Sequence, residues 1–176
     1  GATVHIGHDP AYVNGVDVVV KSTAIPDHNV EIKAAHSQKI PVIPRAEMLG
    51  ELMRMKYGLA VAGSHGKTTT TWILEAVLLA AGKRVGIVGT TGNRIAGVEQ
   101  ETVYTTPPAP IWQGLLSEML RAQCDSVVAE VSSIALSTKR VAATDFSVGV
   151  FTNLSRDHLD FHGTFESYVG AKSLLF

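Results

Sequence analysis

Cysteine is nearly absent: Cys124 is the one thiol in 176 residues, so no internal disulfide can staple the chain, and no Cys or His stands at metal-ligand spacing beside it. A reducing compartment fits. Excess charge of either sign is missing too, since 15 Lys and Arg against 16 Asp and Glu leave a formal net charge of -1. That balance argues against nucleic acid as a partner, and any anionic ligand must be held by local groups. Long apolar runs are lacking: residues 72–81 are interrupted by Glu75 and are too short to span a bilayer, and no charged-then-apolar signal segment opens the chain. No membrane association and a cytoplasmic location are expected. Also absent is a starting Met, and the last residues, 174–176, fall inside a helical pattern without a stop signal, so an internal piece of a longer enzyme is expected.

What is present is 45% hydrophobic content, enough for one full core or for one domain plus part of another. The opening residues Gly1 to Val4 read as strand. Residues 17–21 read as a strand buried on both faces, 29–37 as a helix and 40–43 as a short strand. A helix is expected over 45–56, with Met48, Leu49, Leu52 and Met53 on one stripe. Residues 1–57 thus read as part of a small Rossmann-like unit. A second α/β domain, doubly wound around a parallel sheet, is expected over 58–176. It has strands at 59–62, 84–88, 126–131 and 146–151 and helices at 68–81 and 111–123. The first of these helices is apolar nearly all the way round, the pattern of a helix packed centrally on a sheet. Residues 105–110 read as a turn or loop, and Cys124 falls at a helix-to-strand junction as a buried or half-buried thiol.

Between the strand at 59–62 and its helix lies Gly63-Ser64-His65-Gly66-Lys67-Thr68-Thr69. Phosphates need several backbone N–H groups converging on one point, which a glycine turn at a helix N-terminus supplies together with the helix dipole. Gly63 and Gly66 permit the turn, Lys67 reaches the β- and γ-phosphates, and the Thr68 hydroxyl suits a bridging Mg²⁺, so ATP and Mg²⁺ are the expected cofactors. The spacing is shorter than the general Gly-x-x-x-x-Gly-Lys form because position 61 is Val. The alternative is a plain turn with a solvated lysine. It is disfavoured because a cation at a helix N-terminus opposes the dipole unless an anion sits there.

Glu130 ends an apolar strand that would bury it, and a buried carboxylate must be paired or metal-bound. Beside a phosphate loop a Mg²⁺ ligand is one reading, and an ion pair with Lys or Arg the other. The run from Phe151 to Asp160 starts as strand and ends in a polar cluster, where His158 is a candidate metal ligand and Asn153 either hydrogen-bonds nucleotide or fixes the loop. Asp157, Asp160 and His162 suit capping or turn roles. By residue type alone, Lys172 is a surface lysine.

Three segments, Gly63 to Thr69, Glu130-Val131-Ser132-Ser133 and Phe151 to Asp160, together resemble the Mur ligases of peptidoglycan synthesis. The resemblance implies an enzyme that uses ATP to activate a UDP-N-acetylmuramoyl carboxylate as an acyl phosphate, which an amino acid then attacks. It implies Glu130 and His158 as Mg²⁺ ligands, Thr105, Thr106, Ser132 and Arg140 as substrate contacts, and Lys172 as a lysine carboxylated to a carbamate that adds a metal ligand. Plain strand-end hydroxyls are the other reading of Ser132 and Ser133. Residues 22–26 and 41–49 are similar to the UDP-binding domain of the L-alanine-adding branch. The stretch from Thr90 through Thr164 is closer to the tripeptide synthetase branch, except that Ile134 stands where that branch usually has His. Lacking a C-terminal domain in this sequence, a non-catalytic nucleotide-binding module is the reading from another class.

Overall fold

The computed structural model describes residues 3–45, 47–48 and 57–176. The chain divides into two compact units, Gly1–Met48 and Leu49–Phe176. The helix expected over 45–56 lies largely outside the described residues, as do Gly1 and Ala2. Among the described residues no helix is long and apolar enough to cross a membrane.

In the first unit a short 3₁₀ turn (Pro10–Val13) precedes β1 (Val19–Lys21), α1 (Val30–Ser37) and β2 (Val42–Pro44). Asn29 starts α1 because its carboxamide oxygen accepts from the Glu31 N–H at 2.9 Å, satisfying one of the first-turn donors. Val13, Ile32 and Ala35 are buried where the 3₁₀ turn meets α1. Strands β1 and β2 pair in parallel, Val19 opposite Val42. The expectation that β1 is buried on both faces does not hold, since Val20 is 42% exposed. A ribbon of two strands leaves one face of β1 in solvent. Thr3 and Val4 belong to no strand, and Val4 is exposed.

The second unit is built on a six-stranded sheet in the order β6-β5-β4-β7-β3-β8. Its strands are β3 (Tyr57–Ala62), β4 (Val85–Val88), β5 (Asn93–Ile95), β6 (Val98–Gln100), β7 (Ser126–Glu130) and β8 (Val148–Phe151). The helices are α2 (Lys67–Ala80), α3 (Ala109–Arg121), α4 (Ser133–Ser137), α5 (Leu159–His162) and α6 (Phe165–Ser173). Strands β4, β7, β3 and β8 run parallel, while β5 and β6 form an antiparallel hairpin against β4. The doubly wound parallel α/β reading therefore holds, with that hairpin added. Its tether is Arg94, which is ion-paired to Glu75 of α2, its guanidinium 5.0 Å from the Trp72 ring.

Alternation along the central strands feeds two cores. Val127, Ala129 and Ala60 face Trp112, Leu116 and Met119 of α3, whereas Val128 and Val61 belong with Ile87 to a cluster against Leu74 and Leu78 of α2. Helix α2 is not enclosed all round as its sequence suggests: Trp72, Ile73, Val77 and Leu79 are exposed. Only one stripe of the helix, centred on Thr71, Leu74 and Leu78, meets the sheet. Cys124 is buried at the α3–β7 junction, as expected. The chain leaves β3 toward β4 and leaves β7 in the other direction toward β8, so the carboxyl ends of β3 and β7 meet at a topological switch point.

Candidate nucleotide site

At that switch point β3 runs into the glycine loop and then α2. Gly63 and Gly66 have φ of 141° and 82°, a region that favours glycine, and Gly66 is the N-cap of α2. A Cβ at Gly63 would also collide with the Thr152 hydroxyl. The segment after β8 straps the loop down. Asn153 accepts from the His65 N–H and donates to the His65 carbonyl, both at 3.0 Å, and its own carbonyl accepts from Ser64 N at 3.0 Å. Asn153 thus fixes the loop. Thr152 donates to the carbonyls of Ala62 and His65. Because Thr70 N makes an intrahelical bond back to Gly66, the amides of Lys67, Thr68 and Thr69 are the first-turn donors of α2.

Two lysines converge on the loop. Lys67 Nζ donates to the carbonyls of Gly63 and Ser64 at 3.0 and 3.1 Å, and Lys172 Nζ donates to the same Gly63 carbonyl at 2.8 Å. Lys172 is only 3% exposed, which overturns its reading as a surface lysine by residue type. Burial lowers the pKa of both, and the neighbouring Lys67 charge helps bring Lys172 to about 8, while Asp157 opposes both shifts. Two ammonium groups and a helix N-terminus make an anion-seeking corner.

On the other side, Glu130 is 1% exposed and is held by hydroxyl and amide donors. Thr68 Oγ1 donates to Oε2 at 3.1 Å, Thr90 N donates to Oε1 at 3.0 Å, and Thr90 Oγ1 donates to Oε2 at 3.1 Å. The turn after β4 wraps this carboxylate so closely that a Cβ on Gly89 would meet Oε1 at 2.5 Å. Thr90 was therefore missed as a site residue; its signal was a glycine-threonine pair directly after a parallel strand. His158 is half-buried in a left-handed conformation (φ 51°), with Nε2 3.6 Å from Asp157 Oδ2. Among the described residues no three His, Cys, Asp or Glu side chains meet as a metal cage.

The candidate substrate residues form one network. Thr106, 2% exposed, donates to the Glu130 carbonyl at 2.8 Å and accepts from Ser132 N at 3.1 Å, while Arg140 donates to the Thr106 carbonyl at 2.8 Å. Thr105 meets the Thr90 hydroxyl at 2.9 Å. Ser132 caps α4 by accepting from Ala135 N, and Ser133 Oγ lies 3.0 Å from His162 Nε2. Ser64, the one buried residue of Ser64, His65 and Thr69, contacts the tyrosine on α6, and Thr69 faces solvent.

Comparison with known proteins agrees with this geometry. The profile described as the Mur ligase middle domain matches residues 61–176, and that of the Mur ligase family catalytic domain matches residues 1–57. The chain is 39% identical over 176 residues to UDP-N-acetylmuramoyl-L-alanyl-D-glutamate--2,6-diaminopimelate ligase of Geobacillus thermodenitrificans, covering 100% of this chain and 33% of that one. Over 78 residues, 44% of this chain and 16% of the other, it is 62% identical to UDP-N-acetylmuramate--L-alanine ligase of Halorhodospira halophila. A solved structure of a UDP-N-acetylmuramoyl-L-alanyl-D-glutamate--2,6-diaminopimelate ligase superposes with a TM-score of 0.63 at 27% identity, covering 96% of this chain and 40% of that one. Across the curated diaminopimelate-adding relatives it matches, the chain covers 23% to 36% of their length.

Proposed function

The chain belongs to the Mur ligase family, and from that premise we propose that it carries the nucleotide end of an ATP-dependent amino-acid ligase, most like the tripeptide synthetase. In this reading residues 1–57 belong to the domain that binds the UDP moiety and 58–176 to the ATPase domain. The substrate is the carboxylate of a UDP-N-acetylmuramoyl dipeptide, and the amine is an amino acid, with 2,6-diaminopimelate, named in the relative, the first to test. ATP as cosubstrate places the reaction in the cytoplasm. The observation that carries this reading is the pair Lys67 and Lys172 on one carbonyl of the glycine loop that leads into α2.

The chemistry is positioning and charge neutralisation. A carboxylate oxygen of the substrate attacks the γ-phosphorus of ATP and the bond to ADP breaks. The amine then attacks the acyl carbon, phosphate leaves with that carboxylate oxygen, and the amine loses a proton. Gly63 to Thr69 cradle the phosphates, and Lys67 leaves its loop carbonyls to meet the γ-phosphoryl charge. Thr105, Thr106, Ser132 and Arg140 border the carboxylate's approach. The Thr68 hydroxyl and Glu130 carboxylate, 3.1 Å apart, are hard oxygen donors that would hold one Mg²⁺, while His158 and a carbamate on Lys172 would serve a second. When bound, the ions screen the charge between ATP and the attacking carboxylate. The lowered pKa of Lys172 raises the share of neutral amine that carbamate formation needs, and the ammonium contacts described above belong to the unmodified side chain.

The test is ADP release by the intact protein with each substrate pair. The expected result is turnover with UDP-N-acetylmuramoyl-L-alanyl-D-glutamate plus an amino acid, and none without the amine. Turnover with UDP-N-acetylmuramate plus L-alanine instead would establish the alanine-adding branch, the second reading, whose support is the 62% identity over 78 residues. ATP binding with no turnover on either pair would leave a non-catalytic nucleotide-binding module.

A further inference from the structure

Tyr168 has no place in the scheme above, yet it is fully buried at the back of the phosphate loop. Its phenol oxygen lies 2.8 Å from Ser64 Oγ. That serine hydroxyl already donates its only proton to the Ser155 carbonyl at 3.0 Å and accepts from Ser155 N at 2.9 Å. With that proton committed to Ser155, a lone pair of Ser64 Oγ is open to the phenol O–H.

The same residue reaches the loop a second way. Tyr168 and Lys172 are four apart on α6 and share a face, and the Lys172 ammonium sits 4.6 Å from the centre of the Tyr168 ring. That ammonium donates to Gly63, the residue before Ser64. The ring itself is wedged by the His162 and Phe165 rings at 5.4 and 6.3 Å. One face of α6 therefore grips consecutive loop residues, Ser64 through the phenol and Gly63 through the lysine that the ring supports.

We propose that Tyr168 is a positioning residue for ATP: its phenol latches Ser64 to α6, holding the loop in its phosphate-binding shape before nucleotide arrives. The proposal rests on the ATP-site reading. It differs from a packing role in what each atom of the side chain does.

The experiment is steady-state kinetics of the intact enzyme, varying ATP at saturating carboxylate and amine substrates. Tyr168→Phe keeps the ring and deletes the latch, and the expected result is a KM for ATP raised about fivefold, with kcat and the KM for the other substrates within about twofold. Ser64→Ala deletes the same bond together with the two to Ser155 and serves if the tyrosine variant folds poorly. The double variant should be no worse than Ser64→Ala, which already lacks the phenol's partner. An unchanged KM for ATP in Tyr168→Phe, or a double variant about fivefold worse than Ser64→Ala, would overturn the latch. A wild-type enzyme with no saturable dependence on ATP would instead sink the ATP-site reading itself.

Discussion

The two sides of the phosphate loop are prepared in opposite ways. On the cationic side, Lys67 and Lys172 crowd onto one carbonyl, and burial pulls both pKa values down, so the folded chain holds positive charge at a cost. On the anionic side, Glu130 is buried but is met by the Thr68 hydroxyl and by the amide and hydroxyl of Thr90. One side is under-compensated and is relieved by an anion; the other is already compensated by groups that can turn toward a ligand. On the proposed reading the phosphates lie on the lysine side and Glu130 holds a cation close to them.

The predictions break this contrast one side at a time. Lys67→Ala removes the charge that meets the γ-phosphoryl group, and ADP release by the intact enzyme should fall on the order of 10³-fold. Glu130→Gln keeps the shape of the compensated side but halves its acceptor capacity and removes its charge, so turnover should drop roughly 10²-fold, with part of the loss recovered at raised Mg²⁺. Thr90→Val deletes one of the hydroxyl donors and leaves the amide, and a loss of about 1 kcal/mol is expected in urea unfolding. The smallest signal is in pH dependence. Below pH 8 Lys172 is charged in folded and unfolded chains alike, and its burial weakens the fold. Between about 8 and 10.5 the unfolded chain retains a proton that the folded one has released, so this group makes stability rise with pH across that window. Lys172→Met should flatten that rise, measured as the difference in urea midpoints between pH 7.5 and pH 10; an identical slope in both proteins would remove the charge strain from the lysine side.

Much of the site was legible because its signals are local. The loop from Gly63 to Thr69 announces itself in seven consecutive residues, its glycines take the positive φ their positions require, and Asn29 caps the helix it precedes. The β5–β6 hairpin was not legible: its strands are short and Ala96-Gly97 replaces the usual Asn-Gly at the turn, although both residues take positive φ. Lys172 looked like a surface residue because nothing near it in sequence buries it; the groups it meets, Gly63 and the Tyr168 ring, are brought there by the sheet and by its own helix. Thr90 escaped for the same reason, since Glu130 lies forty residues away. Helix α2 misled in the other direction, because an apolar sequence does not say how many of its faces find a partner.

The central claim, that this loop delivers the γ-phosphoryl group to a substrate carboxylate, is tested most directly by following an oxygen atom. With the UDP-N-acetylmuramoyl dipeptide labelled with ¹⁸O in its reacting carboxylate, the intact enzyme should release inorganic phosphate carrying one ¹⁸O for each amide bond formed. Unlabelled phosphate released at the same rate as ADP would mean that ATP is hydrolysed by water, and would contradict the account.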